Sequence, residues 1–383
     1  MPINIQETFN GTAGSEAITG STSNDEMRGA EGNDTLWGSA GDNMLLGGSG
    51  DDYLGDQGGS SLLEGGDGND DMWGEGGDDT LHAGNGNDTL LSGTGDDLLY
   101  ADAGSNMLRA GDGLDTIYGA NGNDTLVGDG GADTLYGNAG DDVFIGGNES
   151  GVGDLLHGGA GNDTMGACQG DDTLYGGRGN DSLKGGRDND FLDGGRGHDF
   201  VLGGYGNDTV RGYFGNDTVV GGNEEGGDML YGDAGNDSLL ACEGDDTLFG
   251  GTGNDSVKGG GGHNLIHGNE GNDTLMGGYG NDTFRFESSS EGSDILTDFR
   301  TGEDKIELVA SGFSGLSEGG LSADAFVLGS SAQDSNDRII YNEGSGQIFF
   351  DSDGAGGQGQ TLLATIKNPS WTLGFNHNDI NVV

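Results

Sequence analysis

The chain has 383 residues, 88 of them glycine, and its 67 acidic residues outnumber 13 basic ones to give a formal charge of −54. So acidic a composition excludes a nucleic-acid surface, which needs clustered Lys and Arg, and no apolar run approaches the roughly 18 residues that span a bilayer. With only 31% hydrophobic residues, the chain either stays disordered or takes up counter-charge as part of its fold.

Residues 1–15 read as a short leader or cap. The opening MPINIQETFNG has neither the basic nor the apolar region of a cleavable signal peptide. From Glu16 a nine-residue period sets in and runs through residues 16–286. Its anchor positions are Asp25, Asp34, Asn43, Asp52, Ser61, Asp70, Asp79, Asp88, Asp97, Asn106, Asp115, Asp124, Asp133 and Asp142. After a three-residue insertion near Glu149 the grid resumes at Asp154, Asp163, Asp172, Asp181, Asp190, Asp199, Asp208 and Asp217. After a two-residue insertion near Glu224 it continues through Asp228, Asp237, Asp246, Asp255, Asn264, Asp273 and Asp282. That makes thirty repeats, 25 with aspartate at the anchor. Two residues past each anchor stands an apolar side chain, as at Leu36, Leu45, Leu54, Leu63, Val257, Ile266 and Leu275.

The repeat is G-G-x-G-x-D-x-U-x with U apolar. Its glycine-rich half suits a tight turn with unusual backbone angles. Its x-U-x half suits a short strand with one side chain inward and two outward. Two repeats make an 18-residue turn of strand, loop, strand, loop, and stacking turns about 4.8 Å apart pairs strands in parallel.

This nonapeptide resembles the calcium-binding repeat of the RTX exoproteins. The resemblance implies an all-β fold, a right-handed parallel β-roll with two nonapeptides per turn, with calcium ions in columns between adjacent loops. The chemistry agrees. Single U residues give a core too thin to offset the ordering cost of so glycine-rich a chain, whereas Ca²⁺ takes six to eight oxygens from carboxylates and backbone carbonyls alike. The 25 anchor aspartates are therefore the candidate metal ligands. On the order of 20 ions of this valence would offset most of the acid excess.

Departures from aspartate mark weaker positions. Asn43 and Ser61, 18 residues apart, fall in one loop column and predict a calcium-poor stretch there; Asn106 and Asn264 should each weaken a site or two. Outward positions also sort by column. One face carries His82, Tyr100, Tyr118, Tyr136, His157 and Tyr175, then Tyr231, Phe249 and His267; the other carries Trp37, Trp73, Leu91, Val127, Ile145, Leu202, Val220 and Leu240. Like residues stacking along a sheet account for both faces, and an aromatic face could alternatively dock a sugar chain. Cys168 and Cys242 are spaced for free thiols. No H-E-x-x-H or G-x-S-x-G motif occurs, and the pairing of His263 with His267 reads as surface decoration, so no enzyme is expected.

The clock stops at Phe284, and residues 287–383 form a separate C-terminal segment. Ser293 to Leu308 alternates like a strand–turn–strand unit, and strands are expected within Asp337–Asn342 and Gln347–Gly354. The D-S-D-G run at Asp351 could bind a further Ca²⁺ or form a plain acidic turn. This order resembles the C-terminal cap and secretion domain of serralysin-type RTX proteins. That resemblance implies type I secretion machinery as a partner, export through an uncleaved tail at Asn378–Val383, and an extracellular or cell-surface bacterial location. A non-enzymatic surface, matrix or adhesion component is the leading functional reading. A membrane-active protein, similar to a secreted RTX nodulation protein, and a carbohydrate-binding module, similar to those of alginate epimerases, are the alternatives. Ice binding ranks last, because Thr94 and Thr252 are nearly alone at the loop position it would need.

Overall fold

The computed structural model describes residues 3–148, 151–223, 226–354, 359–367 and 374–383. It divides into two compact units, Met1–Gly194 and Gly195–Val383.

In the first unit each nonapeptide contributes one strand, and successive strands alternate between two parallel sheets. One sheet holds Asp25–Glu31, Met44–Ser49, Leu62–Asp67, Thr80–Asn85, Leu98–Tyr100, Thr116–Asn121, Thr134–Ala139, Leu155–Ala160 and Thr173–Arg178 in that order. The other holds Ala17–Thr19, Thr35–Trp37, Tyr53–Gly55, Asp71–Trp73, Thr89–Thr94, Met107–Asp112, Thr125–Gly130, Val143–Gly147, Thr164–Gln169 and Ser182–Arg187. The register is 18 residues per turn, with Tyr100 beside His82 and Tyr118. Between the sheets lie the U side chains: Leu81, Leu90, Leu99, Leu108, Ile117 and Leu126 are fully buried. The chain is thus an all-β parallel solenoid whose core is one apolar residue per repeat.

Strands are longer than the three residues expected. Many run to six, because ladder pairing continues through the glycine pair, as in Gly93 with Gly111 and Thr94 with Asp112. With no Cβ to interfere, adjacent turns keep their backbones in hydrogen-bonding contact up to the corner. The corner itself needs left-handed geometry, shown by φ of 116° at Gly66 and 142° at Gly68, the second and fourth positions of their repeat. Cys168 and Cys242 sit at such a second position with φ of 87° and 89°. An L-residue there carries a strain of about 1 kcal/mol. Both thiols are free, as expected, and nothing in the structure explains their choice.

Glu149 and Glu224, where the insertions were read, lie outside the described residues. Alternation survives both: Tyr136 still pairs with His157, and Arg211 with Tyr231.

The second unit repeats the pattern. One sheet contains Thr209–Phe214, Met229–Ala234, Thr247–Thr252, Leu265–Glu270, Thr283–Phe286, Lys305–Leu308 and Ile380–Val382. The other contains Phe200–Tyr205, Thr218–Gly222, Ser238–Glu243, Ser256–Gly261, Thr274–Tyr279, Asp294–Leu296 and Gln360–Ile366. Parallel pairing therefore outlasts the sequence period. Asp294–Leu296 and Lys305–Leu308, read as one strand–turn–strand unit, are separate rungs of opposite sheets. Gln347–Asp351 and Ile339–Asn342 then pair antiparallel beyond Gln360–Ile366. Phe299, Phe313, Tyr341, Phe350 and Phe375 pack beneath them as a second, aromatic core. Ile380–Val382 lies between Lys305–Leu308, parallel, and Gly319–Gly320, antiparallel, with Ile380 and Val382 buried.

Candidate metal sites

Every one of the 25 predicted anchor aspartates is buried, with Asp228 the most exposed at 4%. Within each unit the anchors tie one turn to the next by two bonds. The Asp34 N–H donates to Asp52 Oδ1 at 2.7 Å, and the Asp34 carbonyl accepts the Tyr53 N–H at 2.8 Å. The same carboxylate step recurs from Asp79 to Asp97, Asp124 to Asp142, Asp163 to Asp181, Asp217 to Asp237 and Asp255 to Asp273. Oδ1 is thereby consumed in holding register.

The other oxygen is not. In Asp34, Asp52, Asp70, Asp79, Asp88, Asp115, Asp237, Asp246 and Asp273, among others, Oδ2 is buried without a hydrogen-bond partner. Leaving an anionic acceptor so costs several kcal/mol. These oxygens face others. A Cβ placed on Gly47 would lie 2.5 Å from Asp52 Oδ2 and 2.7 Å from the Gly65 carbonyl oxygen. On Gly119 it would lie 2.8 Å from Asp124 Oδ2 and 2.9 Å from the Gly137 oxygen, and on Gly250 it would lie 2.6 Å from Asp255 Oδ2 and 2.5 Å from the Gly268 oxygen. Beside Gly47, Gly119 and Gly250, then, a carboxylate oxygen and a carbonyl of the following turn converge on space that the absent side chain leaves open; Ala83, Ala110, Ala167 and Ala241 hold the same position in other repeats.

Acceptors facing acceptors call for a cation. No group of three or more His, Cys, Asp or Glu side chains able to hold a metal occurs among the described residues; the oxygens that converge are single carboxylates and backbone carbonyls. A hard, oxygen-seeking ion of flexible coordination fits that donor set, which is calcium's chemistry. Without it, burial pushes the Asp70, Asp115, Asp237, Asp246 and Asp273 carboxyls up to about 7 and Asp79 up to about 8. Like-charged neighbours one turn away, such as Asp88 and Asp52 around Asp70, add to the shift.

Two anchors were missed in sequence. Asp294 Oδ1 accepts the Asp273 N–H at 3.0 Å, and Asp304 Oδ1 accepts the Asp282 N–H at 3.1 Å. Both are buried, and burial raises them to about 8 and about 6. A second ladder was also missed, in the residue before each anchor: Asn87 N–H donates to Asn69 Oδ1 and Asn254 N–H to Asn236 Oδ1, one turn apart.

The departures behave differently from one another. Asn106 keeps the register bond, accepting the Asp88 N–H at 2.8 Å, but leaves its buried Nδ2 unpartnered. Asn264 turns Nδ2 toward the Gly277 carbonyl at 3.4 Å and Asp282 Oδ1 at 3.2 Å, a donor where other anchors present an acceptor. His267 is no surface decoration. It is 4% exposed, against the Phe249 ring and beside Arg285 and Glu287, and burial lowers its pKa to about 4. Asp351 Oδ1 accepts the N–H groups of Asp353 and Gly354, which closes the D-S-D-G run as a turn.

The aromatic face is a continuous stack within the first unit. His82, Tyr100, Tyr118, Tyr136, His157 and Tyr175 follow one another at centroid spacings of 4.4, 5.1, 5.1, 5.0 and 4.8 Å with planes within 9°. Each ring covers the face of the next, so the stack presents edges outward. No helix among the described residues is long and apolar enough to cross a membrane.

The model of the RTX calcium-binding nonapeptide repeat matches residues 10–45, 19–54, 57–90, 82–117, 91–126, 118–152, 153–166, 169–201, 197–224, 223–257 and 258–288. No curated protein sequence matches. Among solved structures, a hyperactive, Ca²⁺-dependent, β-helical antifreeze protein from an Antarctic bacterium is similar at 19% identity and TM-score 0.39, over 80% of this chain and 84% of that one. The extracellular lipase LipA of Serratia marcescens is similar at 16% identity and TM-score 0.25, over 71% of this chain and 40% of the lipase. The repeat matches extend over well more than half of the sequence, and the chain belongs to the RTX calcium-binding nonapeptide-repeat family.

Proposed function

We propose that this is an extracellular, non-enzymatic RTX protein that calcium folds outside the cell. One observation carries the reading: buried carboxylate oxygens without partners, which at Asp52, Asp124 and Asp255 converge with a carbonyl of the neighbouring turn. In low calcium the acids repel and the chain stays open, which suits threading through a type I export channel, tail first. Where calcium is plentiful, each ion joins two turns and its binding energy becomes folding energy. The ligands are the anchor aspartates from Asp25 to Asp282, with Asp294 and Asp304 extending the columns. The product is a surface, matrix or adhesion component.

Far-ultraviolet circular dichroism of chelator-treated protein, titrated with Ca²⁺ and in parallel with Mg²⁺, tests this. At about pH 7.5, a coil-to-β transition with calcium alone supports the proposal, and full β structure in chelator sinks it. A membrane-active role has some support in Trp73, Met107, Val143 and Ile145, each 40–49% exposed on one sheet of the first unit. Calcium-dependent leakage of liposomes would favour it. The sugar-docking alternative loses ground, since stacked tyrosines offer ring edges and a sugar needs a ring face.

A further inference from the structure

One place in the first unit does not fit a calcium ion, and its misfit is organised. Asn43 and Ser61 replace anchor aspartates one turn apart, yet the register ladder runs through them unbroken. Asp25 N–H donates to Asn43 Oδ1 at 2.9 Å, Asn43 N–H to Ser61 Oγ at 2.9 Å, and Ser61 N–H to Asp79 Oδ1 at 2.7 Å. The compensating residue lies five positions before Ser61. Asp56 stands where its repeat would carry the first glycine, and it is fully buried.

Its carboxylate is satisfied from both sides. Asn43 Nδ2 donates to Asp56 Oδ1 at 2.8 Å, and the Ser61 hydroxyl donates to Asp56 Oδ2. The contrast with a regular repeat is direct. A Cβ on Gly47 would meet two acceptors, Asp52 Oδ2 and the Gly65 oxygen, whereas on Gly38 it would meet Asp56 Oδ1 at 2.7 Å and Asn43 Nδ2 at 2.9 Å, an acceptor already joined to its donor. Three substitutions that each damage a metal loop are complementary when taken together.

We infer that Asn43, Asp56 and Ser61 form a metal-free clasp, which does by hydrogen bonds the turn-to-turn bridging that calcium does elsewhere. The inference rests on the loops being calcium sites in general. It goes further in assigning this stretch a hold on its register at calcium levels too low to close its neighbours.

The test is a count of bound Ca²⁺ on the full-length protein by equilibrium titration, with hydrogen-exchange mass spectrometry at sub-saturating calcium. The triple variant N43D/D56G/S61D restores the consensus and should bind at least one more ion than the parent, with residues 38–63 losing protection at low calcium. Asp56→Asn, nearly isosteric, should leave the ion count unchanged while protection of that segment falls. An unchanged count in the triple variant, or an ion lost in Asp56→Asn, overturns the clasp and makes Asp56 a calcium ligand. A parent protein that binds no calcium at all would instead overturn the broader functional reading.

Discussion

Buried carboxylates make the calcium-free protein sensitive to pH in an unusual direction. Burial raises Asp70 from 3.8 to about 7, so the ionised form costs about 4 kcal/mol in the fold. Asp115, Asp237, Asp246 and Asp273 sit at the same level. A few such penalties exceed a typical total stability of about 5–15 kcal/mol. Their folded-state values lie above the unfolded ones, so the fold binds more protons than the open chain between about pH 4 and 7. Stability without metal is therefore greatest at the acid end and falls as pH rises through 7. In chelator the chain should be unstructured at pH 7.5 and gain β structure on acidification to about pH 5, read by circular dichroism with sedimentation to exclude aggregation near the pI of about 4.1. Calcium at pH 7.5 should do the same. A chain that stays open in chelator at both pH values would refute the reasoning, because backbone entropy, and not buried charge, would then be what calcium overcomes.

Adjacent glycines separate metal from backbone. Gly47→Ala fills the space between Asp52 Oδ2 and the Gly65 oxygen without demanding a left-handed residue. It should weaken calcium binding at that loop and leave the ion count unchanged, since Ala83, Ala110, Ala167 and Ala241 stand at the same position before their anchor aspartates; titration, and melting with and without calcium, measure this. Gly48→Ala, at φ 118° and pressed on the Ala30 carbonyl, should cost at least about 2 kcal/mol even where calcium saturates. Asn264→Asp removes the donor that meets the Gly277 oxygen, so it should bind one extra ion and melt more steeply with calcium. Tyr118→Ala opens the stack between Tyr100 and Tyr136 and should cost about 1–3 kcal/mol with an unchanged ion count.

How much of this was legible depended on whether a residue kept the nine-residue beat. Anchors such as Asp124 and core residues such as Leu126 were readable because each is set by its place in the period. Asp294 and Asp304 escaped because they follow their ladder partners by 21 and 22 residues. The D-x-U signature persists in Asp294-Ile295-Leu296 and Asp304-Lys305-Ile306 and could have found them. Asn43 and Ser61 were visible as defects, but their remedy was not. Asp56 lies at a glycine position, where only the fold reveals that its side chain reaches the same loop. Strand lengths were underestimated because the glycine pair was read as corner alone, while the backbone ladder there needs no side chain to continue.

The sequence counts in nines, but the turn closes in eighteens, and this gives the architecture a parity. Losing or duplicating one nonapeptide would exchange the two faces for everything downstream, setting tyrosines where aliphatic residues now lie and breaking the ring stack at the point of change. A pair of nonapeptides can come or go without that penalty. Lengthening a corner is also harmless to parity, as Tyr136 beside His157 and Arg211 beside Tyr231 record across turns of 21 and 20 residues. A lineage of such proteins should therefore change length in whole turns and decorate itself at corners, and foreign peptides grafted by design belong at those same corners.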